Sequence, residues 1–143
     1  MIRHADCDDL DKIELIEQEF GAEAFSKRSL RHLICSNNIS LVIELGDEIV
    51  GYLIALVRKD SSNVRLYSLI IHSNHRGKGY ATEILHFLER ICKEQGRTRI
   101  GLEVSEVNYP AIALYRLHGF QTVSRAESYY KDGSAALKLQ KLL

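Results

Sequence analysis

Apolar side chains recur along this chain at two spacings, one of three to four residues and one of two. The alternation between them predicts the elements. Residues 2–5 open with a short strand. Leu10, Ile13, Ile16 and Phe20 share one helical face, which predicts a helix over residues 9–20. Ser26 precedes a second helical segment carrying Leu30, Leu33 and Ile34. Residues 40–45 and 49–58 read as strands joined by Gly46-Asp47-Glu48 as a hairpin turn, and residues 64–72 add a third strand to the meander. From residue 79 to 95 the apolar set is Ala81, Ile84, Leu85, Leu88, Ile91 and Cys92, one face of an amphipathic helix. Gly96 stands where a glycine ends such a helix. Residues 99–104 return to a strand. Asn108 is suited to cap the next helix, with Pro110 tolerated in its first turn. That helix runs through Ala111, Ile112, Leu114, Tyr115 and Leu117 and stops at Gly119. Residues 120–128 and 135–141 read as two final strands around Lys131-Asp132-Gly133.

The chemistry-bearing segment is the strand that runs into His75-Arg76-Gly77-Lys78-Gly79-Tyr80-Ala81. Gly77 and Gly79 allow a tight turn and a close backbone approach. The free N–H groups and dipole of the helix that follows, with the charges of Arg76 and Lys78, suit a phosphate or pyrophosphate. Strand, helix and strand around this turn form a βαβ unit. Its two strands are expected to be parallel and its crossover right-handed.

Composition narrows the classes. The 143 residues suit one domain over 1–143, long enough to bury roughly two-thirds of the unfolded surface. Lys plus Arg and Asp plus Glu each number 19, so bulk charge gives no reason to expect nucleic acid as a partner. No apolar run approaches the ~20 residues of a membrane span, and residues 1–6 lack the apolar stretch of a signal peptide. Three cysteines without a CxxC give neither a disulfide framework nor a zinc site. The expectation is a cytoplasmic protein with reduced thiols, no membrane association and no metal. Cys92 falls on the apolar helix face, as a core residue. Cys7 and Cys35 have no evident histidine partner for covalent catalysis.

Three ligands compete for the glycine turn. A Walker loop requires GxxxxGK[ST], which does not occur. A dinucleotide fingerprint requires GxGxxG, and Thr82 stands where the third glycine belongs. An antiparallel meander also precedes the turn, and no room remains for a second half-domain. The third reading comes from a resemblance. Arg76-Gly77-Lys78-Gly79-Tyr80-Ala81 resembles the Q/R-x-x-G-x-G/A pattern of the GNAT N-acetyltransferase superfamily, which cradles the pyrophosphate of acetyl-CoA. The segment from Leu102-Glu103-Val104 through Asn108, Ala111, Leu114-Tyr115 and Gly119-Phe120 is similar to the longer signature of ribosomal-protein-alanine and other protein N-terminal acetyltransferases. Tyr129-Tyr130-Lys131-Asp132-Gly133 resembles a hairpin of the same enzymes. The resemblance extends in order over nearly the whole chain.

This resemblance implies a mixed α/β fold with a central seven-stranded sheet and four helices. It also implies two parallel strands splayed at an acetyl-CoA site. The co-substrate would lie against Leu69, Ile70 and Ile71, with its pyrophosphate on Arg76, Gly77, Lys78, Gly79, Tyr80 and Ala81. Asn108 would contact the pantetheine arm. Glu103 resembles the general base and Tyr115, two turns beyond Asn108 on the same helix face, the general acid. A base matters because an amine attacks only when neutral, and an α-amine titrates near about 8, a lysine near about 10.4. A backbone N–H at Ile71 would polarise the thioester carbonyl. Tyr129 and Tyr130 would meet the acceptor, and Arg65 and Tyr67 would face its groove.

The chain departs from the pattern in two places. It has no Trp, with Ala24-Phe25-Ser26 after the first helix where several N-terminal acetyltransferases carry one, and Ser73 precedes the turn in place of proline. The implied activity is direct acetyl transfer to a protein N-terminal α-amine, in a ternary complex. A small-molecule amine, a lysine, or acyl-CoA binding without turnover are the alternatives. The oligomeric state is open.

Overall fold

The computed structural model describes residues 1–19 and 25–143. Phe20 and Ala24 lie outside them, so the end of the first predicted helix does too. Among the described residues the chain forms seven strands and four α-helices, as the hydrophobic pattern predicts. In chain order they are β1 (Ile2–His4), α1 (Leu10–Glu17), α2 (Lys27–Cys35), β2 (Ile39–Leu45), β3 (Glu48–Val57), β4 (Asn63–Ile71), α3 (Tyr80–Glu94), β5 (Arg99–Ser105), α4 (Tyr109–Leu117), β6 (Gln121–Ala126) and β7 (Ala136–Leu142). The strands build one sheet in the order β1-β2-β3-β4-β5-β7-β6. Only β4 and β5 pair in parallel, because the connection between them is the helix α3 rather than a hairpin.

Helices cover both faces, so the central strands read as near-continuous apolar runs. On one face Leu10, Ile13, Ile16, Leu30 and Ile34 of α1 and α2 pack on Val42, Tyr52, Ile54 and Ile70. On the other, Ile84, Leu85, Leu88 and Cys92 of α3 pack on Leu41, Leu53, Ile71, Ile100 and Leu139. The spacings read from the sequence are therefore the buried faces of these helices. Cys92 is fully buried, and desolvation pushes its thiol pKa up to about 11, in keeping with an inert core position.

Caps agree with the sequence as well. The Ser26 hydroxyl accepts from the Ser29 N–H, and the Asn108 side chain accepts from the Ala111 N–H.

The expectation of three reduced thiols is corrected. Cys7 and Cys35 form a disulfide, with Cα atoms 5.8 Å apart and a separation of 28 positions in sequence. Cys7 lies in the turn that leads into α1, and Cys35 ends α2. These two helices pack together, which brings the start of one beside the end of the other. No CxxC motif is needed for such a pair, so spacing alone gave no sign of it.

Candidate active site

The parallel pair β4–β5 is joined only across Asn63–Arg99, Val64–Ile100 and Arg65–Gly101. Beyond Arg65, β4 stays paired with β3 and β5 with β7, so the two strands separate and the sheet opens. A β-bulge helps to separate them. Ile54 pairs with Ser68 and Ala55 with Leu66, which leaves Tyr67 as the extra residue on β4. The bulge resets the side-chain alternation. Arg65, Tyr67, Ser68 and Ile70 face the α1–α2 side, while Leu66, Leu69 and Ile71 face α3.

On the α3 side of the opening lies a cavity of about 730 Å³. Its lining brings together Leu69, Ile70, Ile71, Arg76, Gly77, Gly79, Tyr80, Ala81, Asn108 and Tyr115, residues spread over 47 positions of sequence. Lys78 is exposed and lies outside this lining. Gly77 and Gly79 have φ of +76° and +86°, and Gly79 is the residue from which α3 starts. A Cβ at either would project into open space, so the turn presents a bare backbone face to the cavity. These features fit an elongated ligand ending in a pyrophosphate. Arg76 is held at the rim by its Nε, which donates to the Ile71 carbonyl at 3.0 Å, and by Glu19, 3.6 Å from its guanidinium. Glu19 also lies 3.0 Å from His72 Nε2. It therefore ties the glycine turn to the end of α1, a link between residues too far apart in sequence to be anticipated.

Tyr115 is half-buried against Phe120, with ring centroids 5.6 Å apart. Desolvation, aided by Tyr130, pushes its phenol pKa up to about 12, so it keeps its proton and remains a donor.

Glu103 faces the opposite side of the opening. It lines a groove of about 740 Å³ between the sheet and α2. Its carboxylate accepts hydrogen bonds from Arg65 Nη2, at 3.2 Å, and from the Tyr129 hydroxyl. The bond to Glu103, followed by desolvation, raises the Tyr129 pKa. Tyr130 packs edge-on against Tyr129 at 5.0 Å, and desolvation, aided by Tyr129 and Glu103, raises its phenol pKa. The segment between β6 and β7 thus reaches Glu103 through Tyr129, with Tyr130 packed behind it. Of the predicted site residues, ten line the α3-side cavity, Glu103 lines the groove opposite, Tyr129 bonds to Glu103 and Tyr130 packs on Tyr129, while Lys78 lies outside both linings.

A buried polar cluster supports this wall and was missed at the sequence level. Glu17 is only 3% exposed. It accepts from the Tyr52 hydroxyl and from the Phe25 N–H at 3.0 Å, while Tyr52 also meets Ser68 Oγ at 3.1 Å. Burial and the bond to Glu17 raise the Tyr52 pKa far above its ordinary value. Phe25 stacks near Tyr67 at 5.2 Å, and Arg65 lies 5.5 Å over the Tyr67 ring. A chain of contacts therefore runs from Glu17 through Phe25, Tyr67 and Arg65 to Glu103. The sequence carried one signal. Glu17 falls four residues after Ile13, on the apolar face of α1, where a carboxylate calls for a buried partner.

A second buried group lies under the glycine-turn helix. His118 is 9% exposed, and its Nε2 lies 3.1 Å from Thr82 Oγ1. Burial and His86 lower its pKa below 6.5, Lys141 acts in the same direction, and Glu89 opposes them. The unfolded chain therefore takes up a proton that the folded chain resists. Stability should fall as pH drops below about 6.5. Thermal unfolding followed from pH 8 to pH 5 should lose part of this slope in His118→Gln. An identical slope in the variant would exclude His118 as its source.

An open parallel pair with a bare glycine turn on one side and a held carboxylate on the other is the arrangement that the sequence resemblance implies for an acyl-CoA-dependent transferase. Comparison with known proteins agrees. Residues 8–120 match the model of the Acetyltransferase (GNAT) family. The chain is 28% identical over 147 residues to the N-alpha-acetyltransferase of Saccharolobus solfataricus, covering 94% of this chain and 88% of that protein. Its fold is similar to the ribosomal-protein-S18-alanine N-acetyltransferase of Escherichia coli, with a TM-score of 0.91 and 21% identity over 99% of this chain and 92% of that one. It is also similar to the PaiA N-acetyltransferase of Thermoplasma acidophilum, solved with coenzyme A, with a TM-score of 0.81 and 16% identity over 100% and 98% of the two chains. The protein belongs to the GNAT family and is an acetyl-CoA-dependent N-acetyltransferase.

Among the described residues no group of three or more His, Cys, Asp or Glu side chains could hold a metal, and no helix is long and apolar enough to cross a membrane.

Proposed function

We propose that this enzyme acetylates the N-terminal α-amine of a protein, of the ribosomal-protein-alanine type, by direct transfer while both substrates are bound. The observation that carries this reading is the placement of Glu103. It lines the α2-side groove beside Arg65 and accepts from the Tyr129 hydroxyl, and Tyr115 lines the cavity across the opening. Names of the relatives support the acceptor class, since they act on N-terminal amines or on ribosomal protein S18.

Acetyl-CoA supplies an activated acyl group as a thioester. The bare N–H groups of Gly77, Gly79, Tyr80 and Ala81 hold its pyrophosphate, and Arg76 adds charge at the rim. Lys78 contributes long-range attraction from outside the lining. Leu69, Ile70 and Ile71 on the unpaired edge of β4 align its arm, with Asn108 opposite, and the Ile71 N–H polarises the carbonyl. Glu103 takes the proton from the incoming ammonium, directly or through a water. The neutral amine forms a C–N bond to the acetyl carbonyl. As the C–S bond breaks, Tyr115 gives its proton to the departing thiolate and is restored by the second proton leaving the nitrogen, and its raised pKa keeps the phenol protonated between turnovers. Tyr129 orients Glu103, and Tyr130 closes the acceptor side.

Mass spectrometry of products from acetyl-CoA with Ala-starting peptides, an N-terminally blocked lysine peptide and polyamines tests the reading. Acetylation at the α-amine is expected. Transfer only to lysine or to polyamines would overturn it. Tyr115→Phe should lower kcat about 100-fold while the Kd of acetyl-CoA stays within about twofold. An equal loss of acetyl-CoA binding would reassign Tyr115 to a packing role.

A further inference from the structure

The α2-side groove is strongly biased in charge although the chain as a whole has a net charge of zero. Arg58, Arg65, Arg99 and Lys138 line it, and Glu103 is the one carboxylate among its described lining residues. Arg65 is committed to Glu103. Among the described residues, no ion pair holds Arg58, Arg99 or Lys138. Each is an exposed cation on a concave surface. Such a surface concentrates field lines and selects a partner of opposite sign.

Strand register arranges these charges in a line. On β5, Arg99, Gly101 and Glu103 share one face, and Lys138 of β7 lies directly across from Glu103. Gly101 has no side chain between them, and a Cβ there would meet nothing closer than 3.8 Å. The floor is therefore open from Glu103 to Arg99, four residues or about 13 Å along the strand. An extended peptide rises about 3.4 Å per residue, so a chain whose α-amine lies at Glu103 starts beside Lys138, within reach of its long side chain from the second residue, and brings its fourth residue near Arg99.

We infer that this groove selects acceptors with acidic side chains at the second to fourth positions, and that Arg99 and Lys138 determine that selectivity. This rests on the α-amine reading above. Arg58, on the loop that follows β3, extends the positive wall at the far end.

The test is kcat/KM, by thiol release from acetyl-CoA, for three peptides. They begin with Ala and carry Asp-Glu-Asp, Gln-Gln-Gln or Lys-Lys-Lys at positions two to four. The acidic peptide should exceed the basic one by at least 30-fold, mostly through KM, and the ratio should shrink between 50 and 300 mM salt. Arg99→Glu combined with Lys138→Glu should reverse the order. Arg99→Ala alone should reduce the ratio, which guards against misfolding of the double variant. Equal kcat/KM for all three peptides, or preference for the basic one, overturns the inference while leaving the α-amine reading intact. Acetylation of polyamines alone overturns both.

Discussion

Replacing Glu103 by glutamine should lower kcat by about 10²–10³-fold at neutral pH, the range for loss of a positioned base. The amide keeps the size of the side chain and can still accept from Arg65 and Tyr129, so the groove keeps its shape. It cannot accept the proton of the ammonium. Acetyl-CoA affinity should be unchanged, because Glu103 lines the groove rather than the cavity that holds the glycine turn. A pH profile separates a base from a structural carboxylate. As pH rises through about 8 the acceptor loses its own proton, and the deficit of the variant should narrow. A deficit that stays constant from pH 6 to pH 9.5 would count against Glu103 as the base.

Tyr52→Phe should carry the largest stability effect. It removes the hydroxyl that donates to Glu17 and leaves a carboxylate that is 3% exposed without that donor. The cost of stranding a buried charged group is about 2–3 kcal/mol, or a fall in Tm of roughly 10 °C for a chain of this size. Glu17→Gln added to Tyr52→Phe should recover part of that loss, because a neutral amide tolerates burial better than a carboxylate. Function should follow through position. Glu17 also accepts from the Phe25 N–H, and Phe25 braces Tyr67 under Arg65. Acceptor KM should therefore rise in Tyr52→Phe while kcat changes little. A melt within 2 °C of the native chain would refute the account.

Both predictions depend on contacts of unequal legibility. Glu103, Asn108 and Tyr115 lie within a 13-residue stretch, on one strand and the helix that follows it, and the resemblance of that stretch to a family signature grouped them. The glycine turn was legible on its own, since two glycines between cations at a strand-to-helix junction specify a backbone shape locally. Arg65 and Tyr67 were readable only as residues that could face a groove. That Arg65 pairs with Glu103, 38 residues away, required the parallel register of β4 and β5. The Glu17–Tyr52–Ser68 cluster joins three elements, and no local pattern links them. The disulfide between Cys7 and Cys35 was misread on the same grounds, because the pairing of two lone cysteines is set by helix packing.

By itself the sequence determined the number, kind and order of the elements, the faces they bury and the two caps. These follow from periodicity, backbone freedom and local hydrogen bonding, each acting over a few residues. Tertiary structure alone decided where the sheet opens, that Tyr67 is the residue bulged out at the opening, and that Lys78 falls outside the cavity its neighbours line. It also decided that Glu103 and Tyr115 occupy opposite sides of that opening. Those outcomes depend on strand pairing between distant segments, where a shift of one residue moves every side chain to the other face.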